Sequence, residues 1–358
     1  MPISKITPAS ISGLNYGFKN RIINGAMVID QRNAGASVTP TTGVHTLDRW
    51  LAAAYSASSK FSVQQNAGSV TPPAGFTNYL GVTSLSAYSV SSSDFLSIIQ
   101  SIEGFNIADL GWGTANAKTV TLSFWVRSSL TGTFGGSLAN QDGSRSYPFS
   151  YTITTANTWE YETITIAGDT TGTWLTTNGL GLALRIGLGV GSTYSGTAGA
   201  WAAGANYFSA TGATSVVGTN GATFYITGVQ LEVGSTATSF DYRPYGTELA
   251  LCQRYFQKSF SQSTAPANGS NDSSFQWSSG GAYNAITSQL KVTMRATPTN
   301  TFYNPRVGGT AGYCTDQTSD YTVRNSNWND SFVGIDTYPQ GTLTNKTLYV
   351  MWTSSAEL

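Results

Sequence analysis

The sequence predicts an all-β protein: a jelly-roll β-sandwich, then a smaller C-terminal β domain, with an extended arm ahead of both. Three observations carry this. Apolar and polar side chains alternate with period two in the best-patterned segments, which is strand geometry. Turn clusters separate those segments: TPPAG at 71–75, NQDG at 140–143, AGDTTG at 167–172 and TTNG at 176–179. No helical pattern alternates with the strands, so a parallel α/β sheet is disfavoured, and many short strands so spaced read as a sandwich or jelly roll.

In chain order, residues 1–20 show no sustained period and carry Pro2 and Pro8. They read as an extended arm that attaches the protein to something else. Residues 21–245 form the sandwich. Leu96, Ile98, Gln100 and Ile102 alternate as in a strand, against a competing helix from Asp94 to Glu103 closed by Gly104. Val120, Leu122, Phe124 and Val126 alternate with Thr121, Ser123, Trp125 and Arg127. In GLGLALRIGLGVG, Leu180, Leu182, Leu184, Ile186, Leu188 and Val190 fall on one strand face, and Gly181, Ala183, Arg185, Gly187 and Gly189 on the other. Its G-x-G spacing is not a dinucleotide loop, because no helix follows. In Ala222–Val233 the apolar phase moves from Phe224 and Ile226 to Val229, Leu231 and Val233, which predicts a β-bulge at Thr227-Gly228. Residues 246–358 form the last domain. Leu249, Cys252 and Phe256 predict a short leading helix from about Thr247, residues 261–281 a long polar loop, and the remainder short strands.

Composition excludes several functions. Lys plus Arg and Asp plus Glu both total 18, which leaves no electrostatic footprint for nucleic acid. No apolar run is long enough to span a membrane as a helix, and the first 25 residues lack the apolar centre of a signal peptide. His45 is the single histidine and is expected at the surface or in a turn; alone it makes neither a histidine-rich metal site nor a two-histidine acid/base pair. Cys252 reads as a buried free thiol, with pairing to Cys314 the less favoured alternative. Glu160 and Glu162 share a strand face roughly 7 Å apart, but Ile164 and Ile166 follow on it, so the pair reads as a solvated strand end before it reads as a catalytic dyad. Asp316, Asp320, Asp330 and Asp336 read as surface charges.

Two sets of residues resemble known families. Asn24-Gly25-Ala26-Met27, LDRW at 47–50, TVTLSFWVRSS at 119–129 and FYITGVQLEVG at 224–234 resemble the galactose-binding-like jelly rolls of carbohydrate-binding modules. IEGFNIADLGWG, FDYRPYGTELALCQRYF, VTMRATPTNTFYNP and the terminal TSSAEL are similar to virion proteins of tailed bacteriophages, marine and cyanobacterial ones especially, which are described as tail fibres or host-recognition proteins. The resemblance implies a homotrimeric virion protein, attached through residues 1–20 to other virion proteins, that adheres to host-surface polysaccharide or lipopolysaccharide without enzymatic activity. It also implies a structural calcium with an acid in the last strand of the sandwich. That segment reads Thr227-Gly228 here and Glu232 is its one acid, which counts against the ion; no cofactor is otherwise expected.

Sugar recognition uses aromatic faces against C–H patches and planar polar groups against hydroxyls. Arg185 is the one large side chain on a Gly/Ala face, where a trough would let it fork hydrogen bonds to a ligand or, alternatively, meet another subunit. Trp125 and Tyr225 also lie opposite their strands' apolar faces, and the three would form a platform if their strands were neighbours in one sheet. Trp112, Trp174 and Trp201, in Gly-rich loops, are further ligand candidates or plugs of a sheet end. Trp50 and Trp159 read as core. Two other functions stand beside attachment: a head-decoration or fibre-anchoring protein without glycan binding, and a polysaccharide-degrading spike. The second of these lacks both an evident acid pair and a β-helix repeat.

Overall fold

The structure, a computed structural model, describes residues 18–270, 274–279, 286–325, 329–338 and 345–358; the rest of the expected arm lies outside the described residues. Two antiparallel sheets face each other. One has seven strands in the order Val44–His45, Trp50–Tyr55, Phe95–Glu103, Leu180–Val190, Gly132–Ala139, Arg145–Ile153 and Ala202–Ala203. The other has five: Phe61–Gln65, Leu80–Ser84, Thr223–Val233, Val120–Ser128 and Glu160–Ile166. The protein is thus an all-β sandwich in this region, and Phe95–Glu103 is a strand and not a helix.

Alternation fixes what lies between the sheets. Trp50, Ala52, Ala54, Leu96, Ile98 and Ile102 point into that space from the seven-stranded sheet. Leu122, Phe124, Val126, Phe224, Ile226, Val229 and Leu231 meet them from the other. Burying one such side chain is worth about 1.5–3 kcal/mol, so this layer is the main stabilising element. The bulge falls where the phase shift predicts it. Thr227 pairs with Trp125 and Gln230 with Ser123, so three steps on one strand face two on its neighbour, and Gly228 takes a φ of +62°.

One expectation for the Leu180–Val190 strand is corrected. Leu182, Leu184, Ile186 and Leu188 lie in the shared core, but Leu180 and Val190 pack on the outer face of the sheet. Register shifts at Leu180/Leu182 and Gly187/Gly189 turn the strand's two ends over.

The C-terminal region holds a separate eight-stranded sheet centred on Thr347–Ser355, with its own core of Trp277, Leu290, Met294, Cys314, Val333, Ile335, Leu348, Val350 and Trp352. The expected long loop at 261–281 is interrupted by the Phe275–Ser278 strand, which pairs with Thr347–Ser355. The leading helix runs Tyr245–Gln253, and Phe256 belongs to the following Phe256–Lys258 strand. Asp316, Asp320 and Asp336, expected as simple surface charges, are each in an ion pair, with Lys346, Arg306 and Arg324.

Charged side chains join this region to the sandwich. Glu103 accepts a two-pronged pair of hydrogen bonds from Arg254 (2.9 and 2.6 Å) and one from the Tyr255 hydroxyl (2.7 Å). Glu357 accepts from Arg32 at 2.6 Å and from the fully buried Arg49, whose guanidinium also lies 3.5 Å over the Tyr255 ring. His45, expected at the surface, is half-buried 3.6 Å from Glu357. Burial, then the neighbouring Arg32 and Arg49, push its pKa well below the ordinary imidazole value, so it is neutral at pH 7. Cys252 and Cys314 are both free and buried.

Candidate functional site

The Gly/Ala face of Leu180–Val190 is not an open trough: the chain's own segment 205–210 lies across it. A Cβ on Gly187 would sit 2.8 Å from the Ser209 hydroxyl, and one on Gly135, on the neighbouring Gly132–Ala139 strand, 2.8 Å from the Ala210 amide. The glycines are therefore explained by close chain approach. Ser137 and Ser146 hydroxyls hold the segment by donating to the Tyr207 and Ala205 carbonyls, both at 2.6 Å. Arg185 is buried beneath it. Its guanidinium donates to Asn206 Oδ1 (2.7 Å) and the Tyr207 carbonyl (2.8 Å) and lies 3.9 Å from the Phe208 ring centroid. Burial draws its pKa down to about 10, so it stays charged at neutral pH. Arg185 is thus neither ligand-facing nor available to a second subunit.

The expected platform does not form, because Trp125 and Tyr225 belong to the five-stranded sheet and Arg185 to the other. Tyr225 is 5% exposed, packed under Tyr79 and Trp159. Trp159, expected in the core, sits in this small satellite cluster on the sheet's outer face, its indole N–H on the Thr71 carbonyl. Trp125 is half-buried and paired with Tyr161, ring centroids 5.3 Å apart.

Trp112, Trp174 and Trp201 meet one another edge to face, at centroid separations of 4.7, 5.3 and 5.4 Å. Each indole N–H is satisfied by a backbone carbonyl: Lys118, Thr171 and Ala167 respectively. Trp112 and Trp174 are buried in the main core and Trp201 packs against it. With polar edges used and faces covered, the three plug an end of the sandwich and present little to a ligand.

A different aromatic site opens beside Arg185. Trp50–Tyr55 and Phe95–Glu103 pair with Tyr55 directly opposite Phe95, both on the non-core phase. Their rings stack at 4.9 Å and 7°. Phe95 stacks in turn on Phe208 (3.9 Å, 18°), and Arg185 backs Phe208 from below. Tyr194 closes edge-on against Phe95 and Phe208. The stack borders a groove of about 660 Å³, within the range of small-molecule sites. Ile99 and Leu51 line its floor, and exposed Thr41, Thr42, Ser56 and Ser58 its rim. Tyr55 is 54% exposed, so its outer ring face is free. Among the described residues no charged side chain lines the groove. Such a site can stack the apolar face of an uncharged ring and meet its hydroxyls at the rim.

The acids are otherwise engaged. Glu160 accepts from the Thr154 and Thr155 amides; burial raises its pKa, but these hydrogen bonds outweigh it and hold the carboxyl below its ordinary value. Burial, then Glu160, raises Glu162. Both sit at the start of the edge strand Glu160–Ile166, and the Glu160 carboxylate's hydrogen bonds lie in the open, in keeping with a solvated strand end. Glu232 is buried, accepting from the Thr238 amide (2.8 Å) and hydroxyl (2.7 Å) and from Gln230 (2.7 Å). Among the described residues no three His, Cys, Asp or Glu side chains converge as a metal site.

The sequence reading missed Tyr55, Phe95 and Phe208. Tyr55 and Phe95 had the signal that marks Trp125, a large aromatic on the non-core phase of a strand. Phe208 had none, since it precedes a two-residue strand, Ser209–Ala210.

No protein-family profile and no curated protein matches the chain. Solved structures do. One is the enzymatically active domain of tailspike protein 4 of bacteriophage CBA120, similar at 12% identity and a TM-score of 0.31 over 60% of this chain and 21% of that one. The chain thus spans about a fifth of that relative's length. A protein from Bacteroides thetaiotaomicron, described as sugar binding, is similar at 12% identity and a TM-score of 0.35, over 60% of this chain and 100% of its own. A family 11 carbohydrate-binding module from Clostridium thermocellum, in complex with a mixed-linked tetrasaccharide, is similar at 10% identity and 0.27, over 55% and 97%.

Proposed function

We propose that this chain is a non-enzymatic structural protein of a tailed-phage virion, a homotrimeric tail fibre that attaches to host-surface glycan through the Tyr55–Phe95–Phe208 groove. The observation that carries the glycan part is the groove itself: a stacked aromatic wall with one free ring face, an uncharged lining and a hydroxyl rim. The virion part is supported by the phage-like segments at 240–256 and 353–358 and by the arm-like residues 1–20. The glycan is a neutral polysaccharide or lipopolysaccharide chain, because nothing in the lining would neutralise an acidic sugar.

Titration of purified protein with host-surface polysaccharide tests this. Binding is expected, with Tyr55→Ala weakening it about two- to tenfold, the scale of one lost aromatic stacking contact, and with the unfolding midpoint lowered by no more than the lost Tyr55–Phe95 stack accounts for. The expected solution mass is three times the 37.8 kDa chain. Silence across the host's polysaccharides overturns attachment in favour of a decoration or anchoring role, and release of reducing ends overturns the non-enzymatic reading.

A further inference from the structure

The outer face of the five-stranded sheet, on the opposite side of the sandwich, carries a second cleft of about 420 Å³. One wall is Trp125 and Tyr161, set opposite each other by strand register. The other is a cluster of Phe76, Phe240 and Tyr242, with centroids 4.9 to 5.6 Å apart. The floor is small: Ser123 and Gly228. Gly228 is needed there twice over. Its φ of +62° disfavours any side chain, and a Cβ would lie 2.6 Å from the Phe76 ring. The bulge thus seats Phe76 against the sheet.

The second wall is held in place before any ligand arrives. Buried Gln230 accepts from the Asp241 amide at 2.8 Å, and buried Glu232 accepts from Thr238. Asp241 accepts from the Lys19 and Asn20 amides at 2.9 and 3.1 Å. Gln230 and Glu232 point outward because the bulge turned the strand's second half over. Glu232, the one acid of this strand, thus pins a wall of the cleft. Preorganisation of this kind lowers the entropy cost of binding.

We propose that this cleft is a second saccharide site, taking one neutral pyranose unit between its two aromatic walls. Thr238 and Ser239 line it, and the Lys19 ammonium that reaches the Thr238 hydroxyl and the Ser239 carbonyl (2.8 Å) is itself paired with Glu232 at 4.0 Å; among the described residues no charged side chain lines the cleft, which favours an uncharged sugar over a uronate or sialate. The ligand class rests on the attachment reading; the site rests on its own geometry. One chain would then hold glycan on both outer faces, and linked sites raise overall avidity without new contacts.

Isothermal titration of the full chain with a panel of neutral oligosaccharides tests it, using Tyr55→Ala, Trp125→Ala, Tyr161→Ala and the Tyr55→Ala/Trp125→Ala double variant. Tyr161 is 44% exposed, so Tyr161→Ala keeps the test open should Trp125→Ala fold poorly. The expected result is two sites per chain, one lost in each single variant and both in the double. If Tyr55→Ala alone abolishes all binding, or Trp125→Ala and Tyr161→Ala change nothing, the second site is overturned and the first stands. If Trp125→Ala alone abolishes all binding, the second stands and the groove fails. If no neutral sugar binds the wild type, both are overturned.

Discussion

Arg185 shows how a residue can be picked correctly for its oddness and wrongly for its role. A lone large side chain among glycines does mark an approach, but the approaching chain is the segment 205–210 of the same molecule. Arg185 backs Phe208, and so acts on the groove only as a positioning residue. Arg185→Ala is expected to cost about 1.5–3 kcal/mol in denaturant unfolding, the range of hydrogen bonds to a charged group. The Tyr207 carbonyl keeps its Ser137 hydroxyl and is not orphaned. Arg185→Met is expected to recover most of that loss, because a filled space without a desolvated cation is often as stable. A neutral Arg185→Ala, or an Arg185→Met no better than it, would contradict this account. The six sugar-contact candidates were chosen as aromatics or an arginine off the core phase or in loops, and of these only Trp125 keeps an accessible ring in a cleft. Alternation tells which face a side chain takes. It does not tell what else comes to lie on that face, and this is why Tyr225 and the Trp112–Trp174–Trp201 triad turned out covered.

At the scale of elements, strand phase was readable wherever it was continuous or shifted once. The bulge at Gly228 was visible because apolar residues on either side fell out of step. The turned ends of Leu180–Val190 were not, because a leucine or valine suits the outer face as well as the inner one. The helix boundary was misplaced by the same ambiguity: Phe256 fits a helical spacing, but its backbone pairs with Ser355. The link between the Phe95–Glu103 strand and the residues after the helix is electrostatic and has a pH signature. Burial pushes Glu103 up, yet the hydrogen bonds from Arg254 and Tyr255 outweigh it and its folded pKa lies below the ordinary value of 4.5. A carboxyl depressed on folding stabilises above its unfolded pKa and loses that contribution as pH falls through the folded one. Unfolding midpoints followed by tryptophan fluorescence are therefore expected to fall on acidification below about pH 4.5, with a shallower slope in Glu103→Gln. Equal slopes would remove Glu103 as a cause.

For the molecule as a whole, the sandwich and the C-terminal sheet are joined by contacts between residues far apart in sequence, and none of these could be read from local pattern. Glu357 is the clearest. It pairs with Arg32 and with an Arg49 that has 1% of its side chain exposed. Glu357→Ala leaves that cation buried beneath Tyr255 with the Ser101 carbonyl but without its carboxylate, expected to cost about 3–5 kcal/mol. Calorimetry showing an unchanged melting temperature would mean that water replaces the carboxylate. The same pairing has a consequence for synthesis. Arg49 and Glu357 are 308 residues apart, so at about 5–20 residues per second the ribosome needs roughly 15–60 s to deliver the second after the first. Through that interval the Ile23 and Ile29 cluster lacks Leu358, and for about its first two thirds it lacks Cys252 and Tyr255 as well. A nascent sandwich can thus close its main layer and still present a sticky, cationic flank to chaperones or to neighbouring nascent chains.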